Sequence, residues 1–259
     1  MKIVKPIADK VATLAGYKLV KGRALLQQDP FEMQRRLLKT SNDRELTIFD
    51  IGANRGQTAR RYRAKFPNAQ IHCFEPFPES VAALEQHFAT DPKIRIVPKA
   101  VTDTTGPATF HVNAQTDTNS LLPRPTSDRR YYPKTAGPKD TIEVETINLD
   151  DYVSENNLAG IDILKFDIQG GELNALRGAT ELLGSGQVSL IYTEIMFITH
   201  YVDAPLYHEL ASYLADFDYS LFDVYNLERA TNGQLRYGDA LFVSETVRES
   251  VINKAPEEP

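Results

Sequence analysis

"TIFDIGANRGQTARRY", residues 47–62, runs from strand-forming residues through a turn holding Asp50, Gly52, Asn54 and Gly56 into the start of an amphipathic helix. Strand, glycine turn and helix in that order open a βα unit, and in open α/β sheets ligands sit beyond the carboxyl ends of the strands, where strand order reverses. Gly52 and Gly56 let the backbone turn and approach a ligand without a Cβ in the way, and the helix start offers N–H groups to a carboxylate or phosphate. The turn matches neither G-x-G-x-x-G nor the Gly-Lys-Ser/Thr phosphate loop. Asp50 would repel a pyrophosphate but suits a ligand ammonium through a charge-assisted hydrogen bond. Glu75 ends the next strand-like stretch, close to the roughly 20-residue offset at which an acid commonly holds ribose hydroxyls. A turn without a ligand and an exposed strand-end acid are the plain structural alternatives. Together the two acids describe a nucleoside that carries an amino acid.

Outward from the turn, "LTIFDIG", "AQIHCFEP" and "KIRIVPKAV" read as strands, with "QTARRYRAKF" and "ESVAALEQHFA" as the helices between them, a βαβαβ half. A second series follows, in which the apolar strands "IDILKFDI" and "VSLIYTEIMF" flank one helix, "GELNALRGATELL", ending near Gly184 and Gly186. Strands apolar on both faces imply a parallel sheet covered by helices. After the helical "YHELASYLADFD", the strands "YSLFDVYN" and "GDALFVS" are joined through Asn232-Gly233, a hairpin signal, so the sheet is expected to end in an antiparallel pair. Residues 1–45 read as a charged, helical prelude, with Asp29 as N-cap and Pro30 at the first helical position of "DPFEMQRRLLKT". Residues 46–245 then form the main domain and 246–259 a tail. Residues 113–140 read as a long loop with five basic and three acidic side chains, in which Arg129, Arg130, Tyr131 and Tyr132 are either grips for an acceptor or a solvated face.

The 259 residues, 42% hydrophobic, suffice for one α/β domain with a substantial core. A net charge of -6 argues against a protein that grips nucleic acid nonspecifically. The single cysteine, Cys73, excludes an intrachain disulfide and reads as a buried apolar residue. No stretch approaches the roughly 18 apolar residues of a membrane span or the core of a signal peptide. A cytoplasmic protein with no membrane partner is the expectation.

The motifs "FDIGANRG", "CFEP", "NSLL", "ILKFDIQGGELNALRGA", "IYTEI" and "YGDALFV", in this order, resemble those of the FkbM-type class I methyltransferases over roughly residues 46–245. The resemblance implies a Rossmann-like, seven-stranded, mostly parallel α/β sheet with a C-terminal antiparallel hairpin and helices on both faces. It also implies S-adenosyl-L-methionine as methyl donor and, commonly, O-methylation of a sugar or another hydroxyl-bearing natural product. By position, Asp50, Gly52, Asn54 and Gly56 match the donor-binding turn, Glu75 the ribose-binding acid, and Ala100 with Val101 the segment bordering the adenine. One departure is clear: where the family pattern reads Asp-Val-Glu-Gly-x-Glu, this chain has Asp167-Ile168-Gln169-Gly170-Gly171-Glu172.

Methyl transfer from a sulfonium needs acceptor oxygen, methyl carbon and sulfur in line, and a sugar hydroxyl gains from a general base, typically by about 10² to 10⁴. Asp167, at the end of the fourth strand, is the first candidate, with a helix cap or a hold on the donor's methionyl end as its other reading. Glu194, at the end of the fifth strand, and His200 beyond it would face the same cleft, His200 because an ordinary imidazole titrates near neutrality. No histidine or cysteine spacing marks a metal site, and no signal demands a divalent cation, although Asp167 and Glu194 offer oxygen ligands. The acceptor is expected to be a small molecule or a glycan. A nicotinamide-dependent oxidoreductase and a noncatalytic binding module on the same half-sheet are the alternatives.

Overall fold

The computed structural model describes residues 29–39, 45–125 and 138–255. Its main sheet has seven strands in the order β3-β2-β1-β7-β8-β10-β9: β1 Thr47–Ile51, β2 Gln70–Phe74, β3 Ile94–Val97, β7 Ile161–Phe166, β8 Val188–Met196, β9 Ser220–Arg229 and β10 Leu235–Val243. Strands β1, β2, β3, β7 and β8 run parallel; β10 is antiparallel to β8 and β9. This is the sheet expected above. Gly233, at φ +87°, turns the β9–β10 hairpin as Asn232-Gly233 foretold. From β1 the chain winds out to β3 and then returns to place β7 against the other side of β1. The order therefore reverses between β1 and β7, which puts a ligand crevice at their carboxyl ends.

Alternation along each strand feeds two apolar layers. Phe49, Ile51, Phe74, Leu164 and Phe166 point to one face, beneath α4 (Leu149–Glu155), α5 (Glu172–Arg177), α6 (Thr180–Gly184) and α7 (Tyr207–Ala215). Ile48, Ile71, Cys73, Ile163 and Leu190 point to the other, beneath α1 (Pro30–Leu37), α2 (Gln57–Lys65) and α3 (Pro78–Phe88). Of the prelude, α1 begins as expected: Asp29 accepts from the Phe31 N–H at 3.1 Å, and Pro30 occupies the first turn. Its Phe31 ring packs 4.9 Å from that of Tyr62 on α2.

Two expectations are corrected. "KIRIVPKAV" is not one strand: β3 stops at Val97, Pro98 supplies no N–H to continue the ladder, and Ala100–Val101 (β4) joins a second sheet. That sheet, in the order β4-β6-β5 with β5 Gly106–Asn113 and β6 Pro138–Ile147, takes up both ends of the stretch read as a loop. Arg129, Arg130, Tyr131 and Tyr132 lie outside the described residues. Nor is "GELNALRGATELL" one helix, because it breaks between α5 and α6 at Gly178. A Cβ on Gly178 would lie 2.3 Å from the Thr102 carbonyl oxygen, and the Gly178 carbonyl accepts from the first N–H groups of α4. Gly178→Ala should therefore force this seam apart, with a stability loss of about 1–3 kcal/mol measurable by thermal denaturation. An unchanged melting temperature would contradict that packing.

Among the described residues no helix is long and apolar enough to cross a membrane.

Candidate active site

The turn after β1 is built for close approach. Gly52 has φ +76°, and a Cβ there would lie 2.0 Å from the Asp167 carbonyl oxygen at the end of β7. Asn54, at φ +46°, tolerates the left-handed conformation, and Gly56, at φ +82°, opens α2 against the Phe88 ring. Glu75 fastens this turn to the end of β2: one carboxylate oxygen accepts from the Asn54 N–H at 2.8 Å, the other from the Phe77 N–H at 2.9 Å. Burial pushes its carboxyl up to about 6, and the two backbone donors only partly offset this. Each oxygen keeps lone-pair capacity for a further donor.

The end of β7 supplies the facing group. Asp167 is exposed, and its carboxylate accepts from Gln169 Nε2 at 3.1 Å. Gln169, at φ +60°, also donates through Nε2 to Glu194 at 3.1 Å, while its amide oxygen accepts from the Tyr201 hydroxyl at 2.8 Å. A glutamate, as the family pattern has it, could not donate to both acids. Burial, then the charges of Asp167, Glu172 and Asp239, push the Glu194 carboxyl well above the usual range. Glu172, buried at the start of α5, accepts from the Ile168 N–H at 3.0 Å and closes the β7–α5 turn. Burial raises it to about 7.

A cleft open to solvent joins these parts. Gly52, Asn54 and Glu75 line it together with Ala100, Val101, Asp167 and Gln169. Phe110, Asp117, Asn119 and Leu121, from β5 and the segment after it, form a further wall. Ser120 ties that segment down by donating to the Gln169 carbonyl at 2.9 Å. Asn119 and Leu121 belong to the "NSLL" motif, whereas Phe110 and Asp117 carry no sequence signal of their own. The alternation in "GPATFHVN" and "TIEVETI" is the signal that would have exposed the second sheet.

The remaining candidates fall elsewhere. Gly56 shapes the start of α2 and Glu194 sits behind Gln169, so neither lines the cleft. Asp50 is a correction. Its side chain points to the opposite face from Ile51, is fully buried, and lies 2.8 Å from the Lys165 ammonium, so it is not available to a ligand's ammonium group. Burial raises its pKa, opposed by Lys165. For Lys165 burial acts against the charge, but Asp50 and Asp167 outweigh it and the net shift is upward. His200 is corrected as well: it is buried, its ring centroid lies 5.8 Å from that of Tyr237, and burial with Arg236 and Arg124 lowers its pKa to about 4. It does not titrate near neutrality. Among the described residues no group of three or more His, Cys, Asp or Glu side chains is arranged to hold a metal ion.

An α/β sheet whose strand order reverses beside a glycine turn and a strand-end acid, closed by an antiparallel hairpin, is the class I methyltransferase architecture. Residues 50–221 match the methyltransferase FkbM domain, and the chain belongs to that family. It is 31% identical over 184 residues to the 2-O-methyltransferase NoeI of Sinorhizobium fredii (strain NBRC 101917 / NGR234), covering 68% of this chain and 71% of that protein. It is 26% identical over 162 residues to the methyltransferase sdnD of Sordaria araneosa, covering 52% of this chain and 60% of that one. Among solved structures, an rRNA methylase from Streptococcus thermophilus superposes with a TM-score of 0.47 at 11% identity, covering 83% of this chain and 96% of that one.

Proposed function

We propose that the chain transfers a methyl group from S-adenosylmethionine to a hydroxyl of a sugar, glycan or natural product. The observation that carries the reading is a cleft lined at once by the glycine turn after β1, the strand-end Glu75 and the exposed Asp167. The donor suits these residues. Gly52 and Asn54 line the cleft where its methionyl end would lie, Glu75 has acceptor capacity for ribose hydroxyls, and Ala100 with Val101 offers an apolar border for adenine. Bound there, the donor supplies an electrophilic methyl carbon on a positively charged sulfur.

The protein's part is orientation and proton removal. With the donor bound, Asp167 would accept the proton of the acceptor hydroxyl as that oxygen takes up the methyl group, sulfur being the leaving group. Gln169 keeps the Asp167 carboxylate turned toward the cleft, and Glu194 anchors that amide by accepting from the same Nε2. Family membership favours this reading over a nicotinamide oxidoreductase, and the 2-O-methyltransferase among its relatives supports a hydroxyl acceptor.

Calorimetry with S-adenosylmethionine and S-adenosylhomocysteine tests the donor, and label transfer from a radioactive methyl donor to a panel of oligosaccharides and hydroxylated natural products tests the acceptor. Absence of donor binding to the wild type would sink the proposal.

Glu75 adds a pH signature. Its folded pKa, about 6, lies above its ordinary value, so its contribution to the stability of the ligand-free protein is full below that ordinary value and is lost as pH rises through about 6. Ribose hydroxyls bind the ionised form. Donor affinity should therefore rise about 10-fold from about pH 5 to about pH 7, and Glu75→Gln should weaken binding and flatten the curve. Equal affinity at both pH values in the wild type would rule out this role.

A further inference from the structure

Lys165 carries an ammonium with three hydrogens and faces three oxygens: the Asp50 carboxylate at 2.8 Å, the Gly52 carbonyl at 3.2 Å and the Ile51 carbonyl at 3.4 Å. Its side chain is almost wholly buried, and it does not line the cleft. The two carbonyls are where the chain leaves β1 and enters the turn. Gly52 and Ala53 give their N–H groups to the Phe74 carbonyl, and Asn54 gives its own to Glu75, so β2 holds the donors of this turn. Lys165 holds the acceptors from the other side. The Ile51 carbonyl also accepts the Asp167 N–H, and to both carbonyls Lys165 adds a charged donor, the stronger kind of hydrogen bond.

We infer that Lys165, kept in place by Asp50, is a positioning residue for the methyl donor: it fixes the Ile51 and Gly52 carbonyls and so sets the path of the Gly52–Asn54 backbone along the cleft. The inference rests on the donor reading above. It also links the two halves of the reaction, because Lys165 lies two residues before Asp167 on β7, and the Asp167 N–H donates to Ile51 at 3.1 Å. Donor turn and proton acceptor are thereby referenced to one strand end. For an in-line displacement that matters, since a shift of about 1 Å can cost on the order of 10²-fold.

A buried ion pair kept for packing alone would behave differently, because such pairs are often replaceable by neutral residues with no loss of stability. The test is calorimetric binding of S-adenosylhomocysteine to the full chain carrying Lys165→Met, and to the double variant Asp50→Asn with Lys165→Met, which leaves no unpaired buried charge. Melting temperatures are measured alongside. A double variant that melts like the wild type but binds about 10-fold more weakly, the equivalent of one lost hydrogen bond, is the expected result. A folded double variant that binds as tightly as the wild type overturns the inference. Should the variants not fold, the wild type decides: the shielded Lys165 ammonium should give a slowly exchanging nitrogen resonance that shifts on saturation with S-adenosylhomocysteine. A resonance unmoved at saturation overturns the inference too. A wild type that does not bind S-adenosylhomocysteine instead overturns the donor reading itself, so the two failures are distinguishable.

Discussion

Asp167→Asn is expected to lower the turnover of methyl transfer by about 10² to 10⁴, the range typical of losing a positioned general base. Asparagine keeps the shape of the side chain and an oxygen for the Gln169 amide, but it cannot take a proton from a hydroxyl. Donor affinity should stay within about 3-fold of the wild type, because the change is felt chiefly when the hydroxyl loses its proton. Single-turnover transfer from labelled donor to the acceptor found by panel screening gives the rate, and calorimetry gives the affinity. Turnover close to that of the wild type would remove Asp167 from the chemistry and leave it only its other reading, a hold on the turn or on the donor.

The second large effect is expected from Gly52→Ala. The new methyl group would start 2.0 Å from the Asp167 carbonyl oxygen, and that oxygen belongs to backbone, so no rotamer change relieves the clash. The φ of +76° adds strain of about 1–2 kcal/mol for any residue with a Cβ. Relief requires β1 and β7 to part, which breaks the Lys165 hold on the Gly52 carbonyl and the Asp167 N–H bond to Ile51. A total destabilisation of about 3 kcal/mol or more should follow, with donor binding lost. Thermal denaturation and calorimetry would show both. An alanine variant that melts and binds like the wild type would mean that the seam between these strands is far looser than the structure has it.

Most of the main sheet was legible because its strands are apolar runs bounded by glycine, proline or polar turns, and a parallel sheet buried on both faces leaves that signature in its residues. The second sheet was not. Its strands are half exposed and alternate, as Thr109, Phe110, His111 and Val112 do, and the proline-rich stretch between them suggested a loop. Gly178 shows the reverse error: a glycine inside a helical pattern was passed over, although only the tertiary contact with Thr102 explains the break there. At the site, chemistry was easier to read than direction. Glu75 and Asp167 both line the cleft. Asp50 does not, and period-two alternation explains it: with Phe49 and Ile51 facing one layer, the residue between them faces the other. Lys165 follows by the same rule, because it shares its face with Ile163. Gln169 stood out as a departure from the family pattern, but its bridging role depends on Glu194 and Tyr201, which only the folded chain brings to it.

The small three-stranded sheet gives the enzyme a modular wall. β5 and β6 take their long ladder from each other, and the segment after β5 reaches the main domain through a few anchors such as Ser120. The turn that follows β1 and the acid that ends β2 are fixed instead by β7 and by their own neighbours. Asp117 and Leu121 line the same cleft as Gly52 and Glu75, so whatever that cleft holds must also meet the excursion of chain that the small sheet carries there.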